Sequence, residues 1–470
     1  MLDYPSPRYP RLKRPKSVEE LMPKARELMS QPSGRDPMLN FQSIKPSYGI
    51  KAGDKVLFIV LSEYDSMAIE AVCRAMREKG ARVDLLTLDS TPVAPPEELA
   101  AHEAIAIDKE EGDYSYYYTG ICNLLRPNTG RAMVELEKYN LVIGGLAGPK
   151  VDLPVPWFKF NYVSLEDFAG PLIDIPPDLV ILINKKAWAQ ITSCELLRLT
   201  DPEGTDVKWT NYNDGRPFME NHLPARPMYI GHNYGGRDDC TGVVAGTLNH
   251  LGAFPHCKAY IKGGQVVKLE GGGNYGDVWR EKLEKYRNVK FPPQPSPNPK
   301  NSWIPGEPKY ELKDPGFFWF MECAIGTFPG AFRLPREGLF KCFGTFIHDR
   351  WRTGYIHNGF GAFAMSQKEM IEAGLPWIHV HIHCMFATLE GENKKGETIT
   401  IIDKGHLTVL DDAEVRSLAS KYGNPDELLK EAWFPAIPGI NVPGDYMKDY
   451  AQDPISWIKR ETLEHPIWID

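Results

Sequence analysis

Three histidines at alternate positions in "HVHIHCMF", residues 379–386, are the stretch of this sequence best suited to chemistry. The segment reads as a strand running from Trp377 to Leu389, and side chains at i, i+2 and i+4 of a strand share a face. His379, His381 and His383 would therefore present their imidazoles together, while Val380, Ile382 and Cys384 face apolar packing. A neutral imidazole is the commonest metal ligand, and an H-x-H pair on a strand sets two of them beside one ion. The third ligand must come from another strand. "GYIHNGFG", residues 354–361, offers His357 between glycines that let the backbone come close. Six of the twelve histidines (His348, His357, His379, His381, His383 and His406) fall within 59 residues, which puts the candidate site in the C-terminal half. The alternation favours a metal-ligand role for histidines of this strand together with His357.

Carboxylates are the second ingredient. Glu322 is a single acid in the apolar stretch "WFMECAIGTFPG", and an unpaired buried charge is too costly to be incidental, so it calls for a cation. Glu270 ends "QVVKLE" just before three glycines that would open onto a pocket. Both are candidate catalytic groups. His232, Asp238 and Asp239 in "GHNYGGRDD" are explained as well by a polar loop, and His232 with His250 or His256 is the next place to look only if the C-terminal histidines hold no metal.

The elements that must carry these residues divide the chain into two kinds of pattern. In residues 49–88, the apolar run "KVLFIVL" suits a buried parallel strand. Ile69, Val72, Cys73 and Met76 then share one helical face ending at Gly80, and "ARVDLLTL" makes the next strand. "YNLVIGGL" and "DLVILIN" read as two further buried strands. After about residue 205 the chain turns to short strands punctuated by glycine, with a hairpin predicted at Gly263-Gly264 and a helix over 411–423. The expected fold is α/β. It has an arm (1–45), an open α/β sheet domain (46–205), a strand-rich α+β metal-binding domain (206–431) and a tail (432–470) packed on the body.

Composition narrows the function classes. A net charge of −8, with no basic run beyond "PRYPRLKRPK", argues against a nucleic-acid surface. No apolar segment reaches the roughly 18 residues of a membrane span, and "MLDYPSPRYP" lacks a signal-peptide core. A soluble, cytoplasmic protein that forms a homo-oligomer is expected. The eight cysteines include no C-x-x-C pair, so buried reduced thiols are expected rather than zinc knuckles or a disulfide framework. The β-α-β pattern of residues 49–88 carries no G-x-G-x-x-G, so dinucleotide binding is unsupported there.

In order along the chain, "GIKAGDKVLFIV", "LLRLTDPEGTDVKW", "GGQVVKLEGG", "ECAIGTFPGAF", "GYIHNGFG" and "HIHCMF" resemble the metal-dependent aminopeptidases related to aminopeptidase T. That fold group includes the iron-dependent 2,5-dihydroxypyridine 5,6-dioxygenases. The resemblance spans about residues 49 to 390. Taken from the aminopeptidases, it implies Glu270, Glu322, His357 and His381 as holders of two metals. Taken from the dioxygenases, it implies one iron on His357, His381 and an aspartate, and here His383 stands at the aspartate position. His348 in "GTFIHDR" is a rival for the place of His357. A neutral ligand in place of an anionic one weakens the two-metal arrangement.

The leading expectation is therefore a mononuclear iron(II) enzyme that opens an electron-rich hydroxylated aromatic or pyridine ring with O₂. Aromatic walls would come from "FFWFMEC", "AFRLP" and "GNYGDVW", and His379 or Glu322 would serve as base. The alternative is a hydrolase using zinc, manganese or cobalt. The bland reading is a structural metal site or a pH-sensitive surface strand.

Overall fold

A computed structural model of the chain describes residues 3–30, 48–62, 64–88, 100–101, 134–144, 155–160, 164–171, 173–211, 228–229, 240–250, 252–287, 318–330, 332, 352–361 and 379–469. Strands β2 (Lys55–Leu61), β3 (Arg82–Leu88), β4 (Leu141–Gly144) and β5 (Trp157–Lys159) form a parallel sheet in the order 3-2-4-5. The expected β-α-β unit is there. Its helix, Ser66–Glu78, starts where the Asp65 carboxylate accepts from the Met67 and Ala68 amides, and it buries Ile69, Val72, Cys73 and Met76 against the sheet. It stops before Gly80, whose φ of +84° a side chain would resist.

The second sheet is the larger one and is antiparallel throughout. It contains β6 (Cys194–Asp201), β7 (Thr205–Thr210), β8 (Met228–Tyr229), β9 (Thr241–Leu248), β10 (Ala253–Lys262), β11 (Gln265–Gly271), β12 (Trp319–Ile325), β13 (Ile356–Gly361), β14 (His379–Cys384), β15 (Thr388–Asn393), β16 (Thr398–Asp403) and β17 (His406–Leu407). Their order is 14-13-12-11-10-9-7-6-15-16-17, with β8 beside β12. The chain is thus an α/β protein with a strand-rich C-terminal part. Strand β6, which sequence position grouped with the first sheet, belongs to this second one.

The large sheet curls until its β14 edge lies against β9. A Cβ added to Gly246 on β9 would fall 2.8 Å from the His383 carbonyl oxygen and 2.8 Å from a methyl of Ile382. Thr205 Oγ1 of β7 lies 3.3 Å from Cys384 Sγ. Glycine at 246 is therefore a matter of room rather than of dihedral angle.

Two expected elements differ. "DLVILIN" is not a strand but part of the helix Pro177–Thr192, which buries Leu179, Ile183, Ala187 and Ile191 at four-residue intervals under the large sheet and Val180 against the small one. Read alone, a run of five apolar residues fits either period. The longer window and Pro177 in the first helical turn decide for helix. The strand expected to run on to Leu389 instead breaks after Cys384, because its backbone is captured: Phe386 N donates to Asp201 Oδ2 at 3.1 Å, and the Arg352 guanidinium donates to the Met385 carbonyl. Chain direction then changes, and β15 pairs with β6 and β16.

The last segment packs Trp433, Ile437, Ile440, Tyr450 and Ile458 against Leu248, Ala253, Tyr355, Met385 and Phe386. Its end, β18 (Trp468–Ile469), pairs in parallel with β1 (Leu12–Lys13). Among the described residues, Cys73, Cys194, Cys240, Cys257, Cys323 and Cys384 are buried and unbridged; Cys122 and Cys342 lie outside them. No helix among the described residues is long and apolar enough to cross a membrane.

Candidate metal centre

Strand register assembles the site. Across β12, β13 and β14, Glu322 is opposite Gly359, and Gly359 is opposite His381. In the neighbouring row, Ala324 is opposite His357, and His357 is opposite His383. Directly opposed residues project to the same face, and residues two apart on a strand share it. Glu322, His357, His381 and His383 therefore crowd onto one patch, with room provided by the small residues Gly359 and Ala324. The irregular pairing between Phe320 and Glu322 sets this alignment.

The distances agree with the register. Glu322 Oε2 lies 3.3 Å from His357 Nε2 and 3.9 Å from His381 Nε2. The His357 ring centroid is 4.3 Å from that of His381 and 5.2 Å from that of His383. All four side chains are sealed from solvent, none more than 3% exposed. This disposes of the surface-strand reading.

A fourth imidazole completes the group. β9 ends at Leu248, and Asn249 closes a tight turn: its amide donates to the Gly252 carbonyl and its side-chain oxygen accepts from the Gly252 amide, both at 3.0 Å. The turn delivers His250 with its ring 4.0 Å from His381, 4.2 Å from His357 and 4.7 Å from His383. Sequence reasoning left His250 only as a fallback. A lone histidine after an apolar strand carries no spacing signal, and its partners arise only because the sheet curls.

The β14 backbone is held from behind. Tyr275 OH donates to the His381 carbonyl at 2.7 Å, and Asn358 Nδ2 donates to the Ile382 carbonyl at 3.1 Å. Two sets of three residues bring one ligand atom each to within 4.8 Å of one another: Glu322, His357 and His381; and His250, His357 and His383. Burying a carboxylate is costly unless positive charge compensates it. Four imidazoles this close cannot all be protonated without strong mutual repulsion. A single divalent cation resolves both demands, so this donor set fits a metal ion.

The other sequence candidates fall elsewhere. Glu270 is in neither set. Its carboxylate is at the surface, where it accepts from Tyr260 OH at 2.6 Å and pairs with Lys268, and the Lys268 ammonium followed by the Tyr260 hydroxyl holds it below the usual carboxylate range. The glycines after it turn the chain into the helix Gly273–Tyr286 rather than opening onto the histidines. His379 pairs with Gly361 through β14, but its side chain lies outside the described residues, as do His348, His232, Asp238 and Asp239.

The expected aromatic walls are largely core. Phe320 and Phe360 are opposed at a ring distance of 5.3 Å, and Trp279 lies 5.2 Å from Phe360 and 5.8 Å from Tyr275. Phe360 is flanked by Gly359 and Gly361, so the pleat turns it away from the face that bears His357.

Neither a protein-family model nor a curated protein sequence matches the chain. Among solved structures it is similar to 2,5-dihydroxypyridine dioxygenase from Pseudomonas putida KT2440, with 12% identity and a TM-score of 0.41 over 84% of this chain and 98% of that one. It is similar also to wild-type AmpT from Thermus thermophilus, with 12% identity and a TM-score of 0.42 over 84% of this chain and 100% of that one. At this level of similarity no residue's role passes from either protein to this chain.

Proposed function

We propose that this chain is a mononuclear non-haem iron(II) dioxygenase that opens a hydroxylated aromatic or pyridine ring, with His357, His381 and Glu322 as the residues that hold the metal. The observation carrying this reading is the donor set: two imidazoles and one carboxylate, buried together on three adjacent strands. That combination is the one non-haem iron oxygenases use, because three ligands on one side leave positions open on the other. When bound, iron(II) would supply those open positions for a chelating substrate and for O₂. His250 and His383, outside this triad but beside it, would be the bases that take the proton of a ring hydroxyl. Glu322 thus supplies the anionic donor that a histidine at 383 otherwise removes.

The test is anaerobic reconstitution with iron(II), followed by oxygen uptake with a panel of dihydroxybenzenes and hydroxypyridines. One equivalent of iron and substrate-dependent O₂ consumption are expected. His357→Ala, His381→Ala and Glu322→Gln should each lower iron content at least about tenfold, since each removes one of three ligands.

A second reading is favoured by the other triad. His250, His357 and His383 make an all-imidazole set, which suits a zinc hydrolase that keeps a fourth position for water. Peptide-bond hydrolysis by the zinc-, manganese- or cobalt-loaded protein, with no O₂ uptake by the iron form, would decide for it.

A further inference from the structure

The two donor sets share His357 and differ in everything else. One is Glu322, His357 and His381; the other is His250, His357 and His383. A neutral imidazole has a single nitrogen lone pair available, its second ring nitrogen carrying a proton. His357 can therefore serve one set or the other, not both. The two sets also differ in charge and in donor type. The first brings a carboxylate oxygen, which suits manganese(II) and iron(II); the second brings only imidazole nitrogen, which suits zinc(II), nickel(II) and copper(II).

We infer that the centre is a single-ion site with two mutually exclusive positions, in which the identity of the metal selects the position. Harder ions sit at the Glu322 side and imidazole-preferring ions at the His250 side. This rests on the metal-centre reading above and adds that His250 is a ligand for one class of ion only. His250 is well placed for such a role. Its ring stands 4.0–4.7 Å from three other imidazoles, yet it comes from the turn after β9, a strand that pairs with β7 and β10 and meets β14 only through the curl of the sheet. A shift of the ion toward it changes the ligand set without moving the β12–β13–β14 ladder. Position, in turn, decides which residues remain as bases: His250 and His383 with the ion at Glu322, and Glu322 and His381 with the ion at His250.

The experiment is a pair of competition titrations, zinc(II) and manganese(II) each against a chromophoric chelator, on the full chain and three variants. His250→Ala is expected to weaken zinc binding at least about tenfold and leave manganese binding within about twofold. Glu322→Gln should do the reverse, and His357→Ala should weaken both. X-ray absorption of the unaltered protein gives the same answer should a variant fail to fold, with three imidazoles around zinc and two around manganese. The inference is overturned if His250→Ala affects both ions equally or neither, if the absorption spectra show the same ligands for both metals, or if the protein takes up two ions at once. Absence of any stoichiometric divalent metal would instead overturn the metal-centre reading itself.

Discussion

Gly359 shows how much of this site depends on a side chain that is not there. It stands between Glu322 and His381 in the cross-strand row, and any larger residue would project onto the same face as the ligands on either side. Gly359→Val is expected to fill the space an ion needs, lowering metal content at least about tenfold, while the β-branched side chain suits a strand and preserves folding. Metal analysis beside far-ultraviolet circular dichroism checks both halves. His381 and His383 were legible in the sequence because alternation is a local signal that strand geometry converts directly into a shared face, and His357 because it stands between glycines in a motif of its own. Glu322 was legible because a lone acid in an apolar run must be compensated. Glu270 was offered beside it, but Lys268, two residues back on the same face, and Tyr260, across the hairpin, hold it at the surface. His250 was illegible for the opposite reason: its value is created by tertiary curvature.

At the scale of elements, the site depends on how tightly β9 meets β14. Gly246 is the contact, and an ideal Cβ there would lie 2.8 Å from the His383 carbonyl oxygen, too close for either backbone to ignore. Gly246→Ala is expected to push the strands apart and destabilise the fold by about 1–3 kcal/mol, the usual cost of overpacking. It should also withdraw His250 from the other imidazoles, so zinc affinity should fall more than manganese affinity. Denaturant melts and the same two-metal titration measure the two effects. The small parallel sheet, its covering helix and the hairpin at Gly263-Gly264 were readable because each rests on short-range pattern and turn chemistry. The helix Pro177–Thr192 was misread because a short apolar run fits both periods. The break after Cys384 was missed because Asp201 and Arg352, which cause it, come from distant parts of the chain.

At the scale of the whole molecule, the two ends of the chain are fastened together and to the body by a cluster that titrates. Arg8 exchanges backbone hydrogen bonds with Trp433, and its guanidinium donates to the Glu431 carbonyl oxygen at 2.8 Å. The buried Glu431 carboxylate pairs with His406 and accepts from the Leu407 amide at 3.1 Å, while the other His406 nitrogen lies 2.8 Å from Asp411. The Glu431 hydrogen bond, outweighing burial and assisted by Asp411, pushes His406 up to about 9. Burial pushes Glu461, within the same tail, up to about 8, and it raises Asp201 and Glu203 as well. Each of these groups holds its proton more tightly folded than unfolded. The associated stability is therefore fully present below the unfolded pKa and is lost as pH rises through the folded one. For the acids that loss begins above the ordinary carboxylate range; for His406 it runs from about 6.5 to about 9 and amounts to at most about 3 kcal/mol, less what solvent screens at its exposed edge. Thermal melts between pH 5 and 9, at about unit steps, should show Tm falling throughout. His406→Gln should lower Tm at pH 6 and flatten the decline above it, because the group that loses its proton there has been removed. A Tm that held level or rose from pH 6.5 to 9 in the unaltered chain would mean that His406 does not carry a charge across this junction, and that the termini are held by their apolar contacts and backbone pairing alone.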